Sequence, residues 1–121
     1  MGNQLAVLIL GNTKHKELKE ILFDLGFIPI ERRDMIQAIE MLHHERFVAV
    51  FIDYDHVEID ALEFILNVRD MKLSIPVIII GELKENWEQA ALQEQRRVHY
   101  FPELKNNYSS KLKVNEIVRN N

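Results

Sequence analysis

The chain has 121 residues and a formal net charge of -4, with 47% hydrophobic and 28% charged residues. These values are ordinary for a soluble globular protein, and the length predicts one domain over 1–121. The acidic balance argues against nucleic acid as the main partner, because binding to phosphates needs a cluster of basic residues. Cysteine is absent, which excludes thiolate chemistry and fits a cytoplasmic location, and no apolar stretch has the length of a membrane span.

Apolar runs that predict strands alternate with helix-period segments along the whole chain. In chain order we predict a strand over 5–10, a helix from His15 to Gly26, a strand over 27–31, a helix from Asp34 to His44, a strand over 48–52, a helix between Asp60 and Met71, a strand over 76–80, a helix over 87–94, a strand over 98–101 and a helix over 112–118. The second strand contains Pro29, which indicates an edge position. The segment 106–110 is typical of a loop, and the basic pairs at 32–33 and 96–97 are interpreted as solvated helix ends or loops.

Five strands that alternate with five helices predict an α/β fold, a doubly wound parallel sheet with helices on both faces. The flavodoxin-like strand order 2-1-3-4-5 is the commonest at this size, and it places the three most apolar strands in the centre. Asp53 then lies at the carboxyl end of the third strand, at the edge where open α/β sheets bind ligands. It is either a functional group or a capping residue of the following loop.

Four features stand in order along the chain: Asp53 after the third strand, Asp-Ala-Leu-Glu at 60–63, Ile-Pro-Val-Ile at 75–78 and Pro102 after the fifth strand. Together they resemble the pattern of response-regulator receiver domains, the superfamily of CheY. Asp53 matches the aspartate that is phosphorylated in that family, and Asp-Ala-Leu-Glu at 60–63 resembles the Asp-Gly-Leu-Glu start of the family's next helix. The segment 75–78, Ile-Pro-Val-Ile, resembles the opening of the fourth strand, and Pro102 matches the proline of the Lys-Pro pair after the fifth. The resemblance covers nearly the whole chain and implies the receiver fold.

The auxiliary positions depart from the family pattern. Phosphoryl transfer to an aspartate needs a divalent cation and groups that neutralise the phosphoryl oxygens. Receivers carry an acidic pair after the first strand, a hydroxyl after the fourth and a lysine before the proline, where this chain has Gly11-Asn12, Gly81 and Phe101. The resemblance is therefore to a degenerate receiver, or pseudo-receiver, in which Gly81 and Phe101 occupy the switch positions.

A rearranged magnesium site is one interpretation of the remaining polar residues. Asn12, Asp53, Asp55 and Glu82 follow strands at the same predicted edge, and their oxygen atoms are the kind of ligand that Mg²⁺ prefers. The alternative is that no cofactor binds and that the two aspartates only cap the loop. The capping interpretation is the stronger one.

Receiver domains usually meet their partners on the face formed by the fourth helix, fifth strand and fifth helix. That face contains Trp87, Tyr100 and Phe101, which predict an exposed aromatic contact surface for a protein partner or a homodimer. The resemblance implies a two-component signalling module and not an enzyme, independent of phosphorylation, either a single-domain regulator or the amino-terminal part of a bacterial transcription regulator. Degenerate receivers precede ATPase domains in some transcriptional activators.

The competing function is an active phosphorelay receiver that a histidine kinase phosphorylates on Asp53. A flavodoxin-like enzyme or nucleotide binder is a third class. It is disfavoured because Gly11 stands alone after the first strand, without the glycine-rich loop that holds phosphates.

Overall fold

The computed structural model describes residues 5–11, 15–54, 60–83 and 86–119, and for 86–88 it describes the backbone. Strands and helices alternate through these ranges as the apolar runs and helical periods predict. The elements are β1 (Ala6–Leu10), α1 (Lys16–Asp24), β2 (Ile28–Arg32), α2 (Met35–His44), β3 (Ala49–Asp53), α3 (Ala61–Asp70), β4 (Val77–Ile80), α4 (Asn86–Gln93), β5 (Val98–Phe101) and α5 (Tyr108–Arg119).

The strands form one parallel sheet in the order β2-β1-β3-β4-β5, which confirms the predicted fold class and strand order. Helices α2, α3 and α4 cover one face, where Leu42, Phe64 and Leu92 join the core. Helices α1 and α5 cover the other face through Leu22 and Val114. The strands β1, β3 and β4 carry continuous apolar runs because both of their faces are covered.

Side-chain caps begin several helices where the sequence predicts them. The Asp34 carboxylate accepts a hydrogen bond of 2.7 Å from the Ile36 amide, and the Asp60 carboxylate accepts one of 3.1 Å from the Glu63 amide. Each cap satisfies an amide of the first helical turn that has no partner within the helix. None of the described helices has the length and apolar character needed to cross a membrane.

Helix α5 is longer than predicted. It begins at Tyr108, so the prediction of a loop through residue 110 is wrong for 108–110. The Asn107 side chain accepts a hydrogen bond of 2.8 Å from the Ser110 amide, and this cap lets the polar residues continue as helix. The first turn of the helix could not be recognised from the sequence, because its residues are polar and also suit a loop.

Polar contacts attach α5 to the end of α1. The Arg119 guanidinium donates a hydrogen bond of 2.7 Å to the Leu25 carbonyl and lies 4.6 Å from the centroid of the Phe27 ring. The Lys111 ammonium lies 2.8 Å from the Asp24 carboxylate. These contacts hold the last helix on the sheet and so fix the position of the connection that follows β5.

We predict that Asp60→Ala lowers the free energy of unfolding by about 1 kcal/mol, because the capped amide of α3 loses its acceptor. The matched control is Asp70→Ala in the last turn of the same helix, where a carboxylate faces the negative end of the helix dipole. That control should leave stability unchanged or slightly higher in urea unfolding. Equal losses for the two variants would contradict the capping role of Asp60.

Candidate functional site

Asp53 is the last residue of β3, and its Cα lies opposite that of Ile80 in β4. The predicted position of Asp53 at the carboxyl end of a central strand is therefore confirmed. Its exposed fraction is only 1%, and it is the one charged residue that is buried among those that the structure describes. A carboxylate that is enclosed in this way is hard for a solvent-borne reactant to approach.

Gly11 lies against Asp53 at the end of β1. Its amide donates a hydrogen bond of 2.8 Å to the Arg32 carbonyl, which continues the pairing of β1 with β2. A Cβ atom built on Gly11 would lie 2.7 Å from the Asp53 Cβ atom, closer than side chains approach one another. Glycine is thus required here by close packing, and the acidic residue that the resemblance to receivers implies at this place cannot be added without moving the backbone.

Gly81 directly follows β4, at the position where the resemblance to receivers implies a hydroxyl. Its amide donates a hydrogen bond of 3.0 Å to the Phe101 carbonyl, and its φ angle is 128°. Residues with a side chain rarely adopt this backbone conformation, and β-branched residues are the most disfavoured. The site therefore lacks the hydroxyl and also has a backbone unsuited to a serine or threonine.

Phe101 is the last residue of β5, at the position where the resemblance to receivers implies a lysine. Its half-buried side chain packs against the core on the face of α1 and α5. It extends the apolar core and offers no positive charge to a phosphoryl group.

Two members of the predicted metal site, Asn12 and Asp55, lie outside the described residues. Glu82 follows Gly81 and is exposed. It lines a crevice of about 610 Å³ at the carboxyl edge, together with His15, Glu17, Ile80, Pro102, Glu103 and Leu104. Within the described ranges no three acidic or histidine side chains are grouped closely enough to hold a metal ion. The magnesium site remains a prediction.

The aromatic residues of β5 do not form one surface. Tyr100 and Phe101 are neighbours in a strand, so their side chains point to opposite faces of the sheet, and each is half-buried against a different part of the core. The backbone of Trp87 belongs to α4, and its side chain is outside the described residues. The expectation of one exposed cluster is wrong for Tyr100 and Phe101, whereas a role in an interface remains a prediction.

Tyr100 has a structural contact that the sequence did not indicate. Its hydroxyl accepts a hydrogen bond of 3.2 Å from the Leu83 amide, in the connection between β4 and α4. The two residues are 17 positions apart, so no local pattern could have revealed the bond. The contact ties β5 to the segment that begins with Gly81.

We predict that Gly11→Ala lowers the free energy of unfolding by about 3 kcal/mol, since the new methyl group combines backbone strain with a collision at Asp53. Gly26→Ala is the control. Gly26 also has a positive φ, of 87°, but the nearest atom to its Cβ position is an Arg119 nitrogen at 3.9 Å.

The control should therefore show only the strain, about 1 kcal/mol in chemical denaturation. Combining Gly11→Ala with Asp53→Gly should cost less than the sum of the two single changes, because the colliding Cβ atom is removed. Strict additivity would contradict the close contact.

No protein-family model and no curated protein matches the sequence. Solved structures with the same architecture do match. The chemotaxis response regulator CheY4 of Vibrio cholerae superposes with a TM-score of 0.71 and 16% identity, over 95% of this chain and 98% of that one. The receiver domain of the sensor histidine kinase PA1611 from Pseudomonas aeruginosa, which holds a magnesium ion in its active-site cleft, matches with a TM-score of 0.71 and 16% identity, over 97% and 96% of the two chains.

A third match lies within a larger protein. The lysine decarboxylase LdcF of Francisella novicida matches over 99% of this chain but only 18% of its own, with a TM-score of 0.58 and 12% identity. Identities this low establish architecture and not activity. The chain has the receiver-domain fold, with the five-stranded sheet of CheY.

Proposed function

We propose that the chain is a receiver-like signalling module, not an enzyme, that acts through protein contacts and without phosphorylation of its central aspartate. The burial of Asp53 carries this proposal. Transfer of a phosphoryl group requires the donor phosphorus to approach a carboxylate oxygen in line, with a cation beside it. An exposed fraction of 1% and the close approach of Gly11 oppose both requirements.

The positions around Asp53 support the same proposal. Glycine at 11 and 81 and phenylalanine at 101 supply neither the carboxylate, the hydroxyl nor the ammonium group that the resemblance to receivers would require. A phosphate at Asp53 would therefore lack the contacts that favour one conformation over another. A ligand shifts an equilibrium only through such differential contacts.

The hydrogen bond between Tyr100 and Leu83 further supports a single conformation. It connects β5 with the segment between β4 and α4, which contains the switch position Gly81. Movement of that segment away from β5 would break the bond and leave a half-buried amide without its acceptor. We propose that the domain presents one fixed surface to its partner.

The open edge of β5 indicates where the surface for the partner lies. The Arg97 and Phe101 carbonyls accept hydrogen bonds from β4, so the alternate residues Val98 and Tyr100 direct their backbone groups outward. The other edge of the sheet, β2, differs. The backbone groups of Ile28 and Arg32 point toward β1, so the residues between them that point outward include Pro29, which has no amide hydrogen. Of the two edges, β5 is the one that can accept a neighbour.

A groove beside this edge has charges of both signs. It has a volume of about 420 Å³ and lies between β5 and α5, where Glu103, Lys113 and Glu116 line it. A surface with both signs is complementary to itself when two copies meet about a two-fold axis. We therefore propose a second copy of the chain as the occupant of the face formed by α4, β5 and α5.

The resemblance to the degenerate receivers of transcriptional activators supports regulation of transcription as the process in which this dimer acts.

An active phosphorelay receiver is the second candidate function. It is favoured by the position of Asp53 at the carboxyl end of β3, the place of the phosphorylated aspartate in receivers. One experiment separates the two candidates.

We predict that acetyl phosphate with Mg²⁺ produces no phosphoryl adduct on the chain. Intact-mass spectrometry measures the adduct, and CheY4 treated in parallel serves as the positive control. An adduct on this chain that disappears in Asp53→Asn would establish the phosphorelay function and exclude the pseudo-receiver.

We predict that Lys113→Glu weakens self-association at least about tenfold, because it replaces an attraction across the two-fold axis by repulsion. Lys16→Glu makes the same change of charge at an exposed site on α1 and serves as the control. Sedimentation velocity over a range of concentrations measures both constants. A monomer at every concentration, or equal effects of the two changes, would remove the homodimer from the proposal.

A further inference from the structure

Four cations lie in two neighbouring segments at the amino edge of the sheet, the edge opposite Asp53. Arg69 and Lys72 lie at the end of α3, before β4, and Arg96 and Arg97 lie in the turn before β5. The Arg69 guanidinium donates a hydrogen bond to the Arg96 carbonyl, and that of Arg97 donates one to the Ser74 carbonyl. These bonds join the two segments, and we call the four residues the basic edge cluster.

The two guanidinium groups are held in place by backbone carbonyls. Besides its bond to Arg96, Arg69 donates bonds of 3.4 Å and 3.5 Å to the Leu73 and Ile75 carbonyls. Arg97 donates to the Ser74 carbonyl through one nitrogen, so most of its five N–H groups can serve another acceptor. Fixed side chains lose little conformational entropy when a ligand binds.

Among the residues that the structure describes, the positive charges of the cluster have no carboxylate partner. None of the four cations takes part in a salt bridge within the described ranges, although Asp70 and Glu94 are near in the chain. Burial and then the neighbouring Arg97 lower the pKa of Arg69. The same two causes, in the same order, lower the pKa of His99 in β5. A negative charge at this place would relieve the repulsion.

Backbone conformation sets the cluster apart as well. Lys72 and Arg97 have φ angles of 62° and 61°, and no other non-glycine residue in the described ranges has a positive φ. Glycine or asparagine is the usual choice at such positions. The carboxyl-terminal ends of helices such as α3 and α4 attract cations through the helix dipole. That attraction alone would not require residues in the left-handed backbone conformation or two neighbouring guanidinium groups.

We propose that the basic edge cluster binds an oxyanion of the phosphate class, as inorganic phosphate or as the phosphomonoester of a partner. The planar fork of Arg97 matches the oxygen geometry of such a group, and the neighbouring Arg69 adds a second positive charge for a doubly charged anion. The site is independent of the proposed signalling function, because Asp53 and the face of α4, β5 and α5 are not required for it.

Sodium phosphate titrated into the full chain, at constant ionic strength set with sodium chloride, tests the site. We expect saturable amide shifts in NMR spectra, confined to residues 69–75 and 96–98. Arg97→Gly suits the positive φ and removes the fork, and it should weaken phosphate binding about tenfold or more. Arg33→Gln removes a charge from an exposed position at the far end of β2 and should change the affinity less than about twofold.

His99 supplies a second readout. Its imidazole borders the groove with Glu103, Lys113 and Glu116, and Arg97 lies close enough to lower its pKa. Bound phosphate offsets the charge of Arg97, so the His99 pKa should rise on saturation in the natural chain and not in Arg97→Gly. The rise should persist in Lys113→Gln, which separates the edge cluster from the groove.

Parallel titrations with O-phosphoserine distinguish the two sources. Tighter binding of O-phosphoserine supports a phosphorylated partner, and tighter binding of inorganic phosphate supports the free anion. Linear shifts without saturation would overturn the proposal, as would equal affinity in folded Arg97→Gly. In either case the cations would serve only the ends of α3 and α4.

Discussion

The burial of three apolar parallel strands between two layers of helices is the constraint on which the other features depend. Strands β1, β3 and β4 leave almost no surface to solvent, so any polar group on them must lie at a strand end or be enclosed. Asp53 is at such an end and is enclosed all the same. Gly11 at the end of β1 lies directly against it, and a larger residue at 11 would collide with the Asp53 Cβ atom.

The two ends of the sheet consequently differ in character. At the carboxyl end the backbone of Gly11 and Gly81 and the ring of Phe101 occupy the places where the resemblance to receivers implies charged or hydroxyl groups. At the amino end, the guanidinium groups of Arg69 and Arg97 donate to backbone carbonyls, and no carboxylate in the described part of the chain forms a salt bridge with them. The carboxyl end thus presents glycine backbone and an aromatic ring, and the amino end presents a concentration of positive charge.

The two edge strands of the sheet, β2 and β5, differ in the backbone hydrogen-bonding groups that they direct outward, and single residues cause the difference. Pro29 removes an outward amide from β2, whereas β5 contains no proline and directs two complete peptide groups outward. The polar connection between α1 and α5 leaves the groove beside β5 open, because Lys111 and Arg119 are turned toward α1. An interface on the β5 side therefore agrees with both the backbone and the side chains.

The sequence by itself determined the strands and helices that depend only on residues close together in the chain. Apolar runs marked the central strands, periodic leucines and isoleucines marked the helices, and Asp34 and Asp60 marked two helix starts, since strand burial and capping depend on residues within a few positions. Asp53 could be placed for the same reason, because it directly follows such a run. The first turn of α5 was missed, since its cap at Asn107 lies in a polar segment that also suits a loop.

Only the tertiary structure decided the features that join distant segments. Gly11 and Asp53 are 42 positions apart and Arg69 and Arg97 are 28 apart, and hydrophobic periodicity carries no information about which loops the sheet brings together. The sequence predicts a solvated helix end or loop for the pair Arg96-Arg97 and does not indicate its contacts with the end of α3 and the residues after it. The strand order places the ends of neighbouring strands side by side. The backbone geometry at those ends then shows whether a position needs glycine, as position 11 does, or could also hold a residue with a side chain.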